Sequence, residues 1–172
     1  MITLKPHASV FTHSIVEPFQ KAHQMTNKTT YYYVSPPDFL MKTTDYVIMI
    51  LGIYDGAKIR EIAQTIEKRF QTSDIIFYYN DQKPLNEKTM AWIRTLVTSA
   101  DLVITDISEI SREELMISVF AEINKDIPSL YVSQTQTGEM YDIYKSYDIA
   151  PLDYTEIGNV AFRILDPDLD QE

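Results

Sequence analysis

The stretch SADLVITDISEISREELMISVFAEINKDIPSLYV, Ser99 to Val132, decides the fold. It reads as an apolar strand ending at Asp106, a polar turn, a capped helix and a second apolar strand. A strand–helix–strand unit of this kind belongs to an open parallel sheet, whose ligands sit at the carboxyl ends of the strands. The turn Asp106–Ser111 is therefore where chemistry is expected. Its helix opens with the capping box Ser111-Arg112-Glu113-Glu114. It presents Met116, Val119, Phe120 and Ile123 on one face.

Working outward, the same alternation begins at Asp45. Tyr46–Leu51 (YVIMIL) is apolar throughout, as a strand buried on both faces must be. The helix after it carries Ile59, Ile62, Ala63, Ile66 and Phe70 at helical spacing. Its other face holds Lys58, Arg60, Glu61, Glu67 and Lys68. Asp74–Tyr79 is the second strand of this series, ended by Asn80-Asp81-Gln82 and Pro84. A helix capped by Asn86 then buries Met90, Ile93, Leu96 and Val97. Leu102–Thr105 and Ser129–Val132 are the strands of the deciding stretch. Downstream, a short helix is expected around Met140–Tyr147, a last strand at Ile149–Tyr154 and a closing helix over Ile157–Leu165. This pattern predicts an α/β fold: an open, doubly wound, mainly parallel sheet of four or five strands with helices on both faces.

The remainder divides into an N-terminal extension, residues 1–44, and an acidic tail, residues 166–172, around the α/β domain at 45–165. The extension holds all three histidines, His7, His13 and His23. A helix at Val16–Met25 and an edge strand at Thr30–Val34 are expected there. No internal repeat or low-complexity linker is present.

At 172 residues with 45% hydrophobic content, the chain can build one sizeable core. Its net charge of −10 opposes nucleic-acid phosphate and anionic lipid, so neither nucleic acid nor membrane is an expected partner. With no cysteine, disulfides, thiolate metal sites and cysteine nucleophiles are excluded. The N-terminus lacks the apolar core and cleavage site of a signal peptide. The longest apolar run, Tyr46–Tyr54, is too short to span a bilayer. A cytoplasmic protein is expected.

The residues that could carry chemistry lie at the expected strand ends. Asp106 could bind a sugar hydroxyl, or could accept hydrogen bonds from its own turn. Glu114 could be a catalytic carboxylate, or could complete the capping box. Gly52, Tyr54, Asp55, Gly56 and Lys58 form a candidate anion site, because backbone amides at a helix start favour negative charge. They match neither the dinucleotide fingerprint nor the P-loop. Asn80, Asp81 and Gln82, and likewise Ser133, Gln134 and Gln136, could read a ligand or merely form turns. Ser108 sits in the Asp106 turn and joins the candidate ligand set. The histidines show no ligand spacing, and no metal or cofactor is expected. Tyr31-Tyr32-Tyr33 and Trp92 read as packing residues.

Two motifs carry a resemblance over Asp45 to Val132. Ala100-Asp101-Leu102-Val103-Ile104-Thr105-Asp106-Ile107 and Lys125-Asp126-Ile127-Pro128-Ser129-Leu130-Tyr131-Val132 resemble segments of one superfamily. It comprises the nucleoside 2-deoxyribosyltransferases and the TIR-like nucleotide-processing domains. The resemblance implies a nucleoside, nucleotide or NAD-like ligand and cleavage of an N-glycosidic bond. It implies a helix Glu at the sugar carbon and an Asp on the preceding loop, since an oxocarbenium-like transition state calls for a carboxylate. The family spacing from Pro128 puts Ser118 where that Glu stands; Glu113 and Glu114 lie one turn earlier. Family sites are often completed by a neighbouring subunit, so a homo-oligomer is a possible partner. Two functions stay open: a nucleoside- or nucleotide-binding protein, with or without cleavage of the glycosidic bond, and a catalytically inactive regulatory or protein-interaction module of the TIR-like type. A flavodoxin-like receiver or electron carrier fits less well, because GIYDG follows the first strand of the domain instead of an acidic pair or a hydroxyl-rich loop.

Overall fold

The computed structural model describes residues 30–33, 44–80, 86–108, 110, 112–134, 139–146 and 151–168. Five parallel strands form one sheet: β1 (Thr30–Tyr33), β2 (Tyr46–Leu51), β3 (Ile75–Tyr79), β4 (Leu102–Asp106) and β5 (Ser129–Val132). Their spatial order is β1-β3-β2-β4-β5. The helices are α1 (Gly56–Glu67), α2 (Glu87–Val97), α3 (Arg112–Lys125), α4 (Glu139–Ser146) and α5 (Ile157–Leu165). The chain is thus an open α/β sheet with helices on both faces.

The apolar runs sort by the strand period of two. Ile48, Ile50, Ile75, Phe77, Leu102 and Ile104 meet α1 and α5 on one face. Met49, Leu51, Ile76, Tyr78 and Val103 meet α2 and α3 on the other. Every residue of β3 and β4 is buried. Asn86 caps α2 as its position predicts, accepting from the Thr89 amide at 2.8 Å. Trp92 is buried on α2, in keeping with a packing role.

β1 is the edge strand expected at Thr30–Val34; Val34 lies outside the described residues, as does the helix expected at Val16–Met25. β1 adds to β3, with Tyr32 beside Phe77 and Tyr33 beside Tyr78. Both pairs stack, with ring centroids 5.3 Å apart. The Tyr32 hydroxyl also donates to the buried carboxylate of Glu67 on α1. Of the strand expected at Ile149–Tyr154, Ile149 and Ala150 lie outside the described residues; among the described ones, Leu152 forms a parallel bridge with Val132. Asp153 then caps a 3₁₀ turn, Tyr154–Glu156, so the backbone turns away from the sheet.

The row Met116, Val119, Phe120 and Ile123 is not what α3 buries. Its inner side is Glu114, Ile117, Ser118 and Ala121, at positions i, i+3, i+4 and i+7. Met116, Phe120 and Ile123 point outward and are exposed. Two polar residues occupy the inner side because each has a specific partner. Ser118 meets Thr105 of β4 at 2.9 Å, and Glu114 reaches the turn after β2.

α1 and α5 approach closely at Gly158. A Cβ placed there would lie 2.4 Å from Thr65 Cγ2 and 3.1 Å from the Thr65 carbonyl oxygen. Gly158→Ala is therefore expected to cost about 1–3 kcal/mol by overpacking. Thr65→Ser removes the methyl and keeps the hydroxyl that donates to the Glu61 carbonyl at 2.8 Å. The double variant should recover part of the loss. A urea-denaturation cycle measures the coupling, and simple additivity would refute it.

Burial also shapes the alkaline limit. Tyr131 is pushed up to about 12, first by burial and then by its hydrogen bond to Glu122. Tyr32, Tyr33 and Tyr144 are raised as well, burial being the main cause in each. A raised folded value means that the native state holds protons which the unfolded chain releases above its ordinary tyrosine value, near pH 10. Stability is therefore full below about pH 10 and falls as pH rises beyond it. Phenolate absorbance during an alkaline titration should show these rings ionising only with unfolding.

Candidate functional site

The chain leaves β2 toward β3 on one side and later enters β4 on the other. The loops after β2 and β4 therefore diverge, and the gap between them is the topological switch point of the sheet. Asp106 ends β4 at this point and is 1% exposed. One carboxylate oxygen accepts from the Ser108 amide at 2.7 Å, closing the turn. The other accepts from the Tyr154 hydroxyl and from Gln134 Nε2, the latter at 3.4 Å.

Gln134 is the hub of this cluster. Its Oε1 accepts from Lys58 Nζ at 2.6 Å, while its Nε2 faces Asp106 and also lies 3.4 Å from the Tyr154 oxygen. An ammonium only donates and a carboxylate accepts, so these partners orient the amide unambiguously. The backbone of Gln134 adds a bond from its amide to Ser108 Oγ at 2.9 Å. Ser108 and Ser133 face each other at 3.5 Å. The first helix, the β4 turn, the end of β5 and the 3₁₀ turn thus meet in one hydrogen-bonded set. The bonds to the Asp106 carboxylate are partly buried and can polarise one another, whereas those from Lys58 and from the Gln134 amide are exposed.

Glu114 is fully buried on α3. It accepts from the Gly52 amide at 3.3 Å and from the Tyr54 hydroxyl. Ser111, the other half of the capping box, lies outside the described residues. Gly52 has φ +79°, and a Cβ there would lie 2.3 Å from the Asp106 carbonyl oxygen. That turn needs glycine for its left-handed backbone and for close approach to β4. The residues bearing both candidate carboxylates therefore pack against one glycine.

The other candidates divide. Asp55 is the N-cap of α1 and accepts from the Ala57 amide at 2.9 Å, so its carboxylate serves the helix start. Gly56 is the first residue of α1. Lys58 belongs to the Asp106 cluster through Gln134. Asn80 is buried at the end of β3, on the far side of β2 from Asp106. Asp81, Gln82, Gln136 and the three histidines lie outside the described residues. Among the described residues, no group of three or more His, Cys, Asp or Glu side chains is placed to hold a metal. Among them too, no helix is long and apolar enough to cross a membrane.

Tyr154 is the member that sequence reasoning missed. It lies 48 residues from Asp106 in a segment read as the end of a strand. Only the cap at Asp153 and the turn it starts could have signalled that Tyr154 leaves the sheet. No protein-family model matches the chain, and comparison with curated proteins finds no match.

Proposed function

We propose that this chain binds a nucleoside or nucleotide at the carboxyl edge of the sheet, with Asp106 taking hydroxyls of the sugar. The observation that carries this reading is the Asp106 carboxylate, buried at the switch point and held by Ser108, Tyr154 and Gln134. A buried carboxylate of fixed orientation is a strong acceptor for paired hydroxyl donors. Gln134 is exposed and its 3.4 Å bond to Asp106 is long, so a sugar hydroxyl can take its place. Lys58 supplies a cation at the same edge for a phosphate. The likeness of Ala100–Ile107 and Lys125–Val132 to deoxyribosyltransferase and TIR-like segments supports the ligand class, and the absence of cysteine fits a cytoplasmic setting.

Binding without turnover is the favoured form. Ser118, where the family's Glu is expected, is buried against Thr105. Glu114 is committed to Gly52 and Tyr54. Cleavage of the N-glycosidic bond is the second reading, supported by the contact of the Glu114 carboxylate with Gly52, the glycine packed on the Asp106 backbone. In that reaction Glu114 would leave Tyr54 and stabilise the sugar carbon as the C–N bond breaks, the base leaving with a proton from solvent and water adding to the sugar carbon.

The test combines binding and turnover. Titration calorimetry with deoxynucleosides, nucleoside monophosphates and NAD should show saturable binding, weakened at least tenfold in Asp106→Asn and in Tyr154→Phe. No binding by folded wild type at millimolar ligand would overturn the proposal. Release of free base or nicotinamide, abolished in Glu114→Gln, would replace the favoured form with the second.

A further inference from the structure

The outer face of α3 is built unlike that of a solvent-facing helix. Met116 is 60% exposed, Phe120 56% and Ile123 70%. They stand at i, i+4 and i+7, on one side of the helix and away from its buried row. Isolated exposed apolar residues are ordinary, but a continuous row along one helix marks an interaction surface. Beside this row, between α2 and α3, runs a groove of about 710 Å³ whose floor includes Met90, Val97, Ile117 and Ala121. It lies on the helical face of the sheet and shares no residue with the Asp106 cluster.

The charge around the groove selects its occupant. Arg94, Arg112 and Lys125 line it against one acid, Glu113. The whole chain has the opposite balance, with 15 basic and 25 acidic residues. A cationic rim on an acidic protein favours an anionic partner and steers its approach. The same rim disfavours two copies of this chain meeting face to face, since each would bring like charge. It also disfavours the chain's own first 29 residues, which carry Lys5, Lys21 and Lys28 against Glu17. The stretch after α5, Asp166 to Glu172, is acidic, but Pro167 within it opposes a docking helix. A small amphiphile inside the groove would leave Ile123 in water, because Ile123 is not among its lining residues. A helix laid along α3 covers the whole row.

We propose that the α2–α3 groove and the Met116–Phe120–Ile123 row dock an acidic amphipathic helix of a partner protein. Its apolar residues would enter the groove at the i, i+3 or i+4, i+7 spacing of helix-in-groove recognition. Its carboxylates would meet Arg94, Arg112 and Lys125. Two methionines in contact with the site, Met90 and Met116, let the surface adapt to different apolar anchors.

The experiment uses two labelled 18-residue helical peptides with identical leucine faces, one with glutamate on its polar face and one with lysine. Fluorescence anisotropy with the full chain should show saturable binding of the glutamate peptide, at least tenfold tighter than that of the lysine peptide. The preference should shrink as salt rises. Phe120→Asp changes an exposed residue and should fold normally, yet weaken binding at least tenfold. Arg94→Glu should reverse or erase the charge preference. Absence of binding at millimolar protein, equal binding of both peptides, or indifference to Phe120→Asp would each overturn the proposal. So would a dimer in sedimentation equilibrium that Phe120→Asp dissociates, since a second copy would then be the occupant.

Discussion

Gly52→Ala should lower the unfolding midpoint by about 10 °C or more, or prevent folding outright. Two costs act together. The backbone at φ +79° is one that L side chains rarely adopt, a penalty of about 1–2 kcal/mol. The added Cβ would also stand 2.3 Å from the Asp106 carbonyl oxygen. The obstacle is backbone at the end of a fully buried central strand, so no side-chain rotation relieves it. Together they should exceed about 3 kcal/mol, a large part of the total stability of an ordinary domain. Thermal melts of the variant and wild type decide the matter, and an unchanged midpoint would contradict the geometry. Because the clash lies on Asp106 itself, any folded fraction should bind sugar ligands poorly.

Glu114 gives the second large effect, and the chemistry of the replacement should control its size. Glu114→Ala leaves the Gly52 amide without this acceptor, takes a partner from the Tyr54 hydroxyl and opens a void in a fully buried place. The expected loss is about 2–4 kcal/mol. Glu114→Gln keeps the volume and one carbonyl oxygen for the Gly52 amide. Its NH₂ would face the Tyr54 oxygen, which can accept after its hydroxyl rotates. That variant should lose about 1 kcal/mol or less. Chemical denaturation of the pair measures the contrast, and equal losses would mean that hydrogen bonding at this position is immaterial. The same contrast makes Glu114→Gln the suitable variant for turnover measurements.

A mainly parallel sheet was legible in the sequence because Tyr46–Leu51, Ile75–Tyr79 and Leu102–Thr105 are apolar on both faces. Runs of this kind fit only strands covered by helices on each side. The position of Asp106 was legible for the same reason: it is the first charge after a buried run. The orientation of α3 was not. Apolar residues run almost around that helix, and its inner row contains Glu114 and Ser118. Periodicity selects the most apolar face, whereas partners on β4 and in the Gly52 turn select the face that is buried. Tyr154 was hidden because its partner is distant in the chain and its segment reads as a strand running through to Tyr154, whereas Asp153 caps a 3₁₀ turn there. The role of Lys58 was half visible. Its place beside a helix start pointed to an anion, while its bond to Gln134 depends on an element that arrives 76 residues later.

The placement of β1 has a consequence for biosynthesis. β1 is the first of the five strands in the chain, but its sheet neighbour is β3, which ends at Tyr79. Its tyrosines must therefore wait, unpaired in the sheet, while some 45 further residues leave the ribosome. Long-range closures of this type are slow steps in folding. Until β1 docks, β3 is an open edge of five apolar and aromatic residues, Ile75 to Tyr79, with no charge or proline to blunt it. A shortened chain starting after Tyr33 would carry that edge permanently, so loss of the N-terminal strand should show first as aggregation during expression, ahead of any loss of ligand binding.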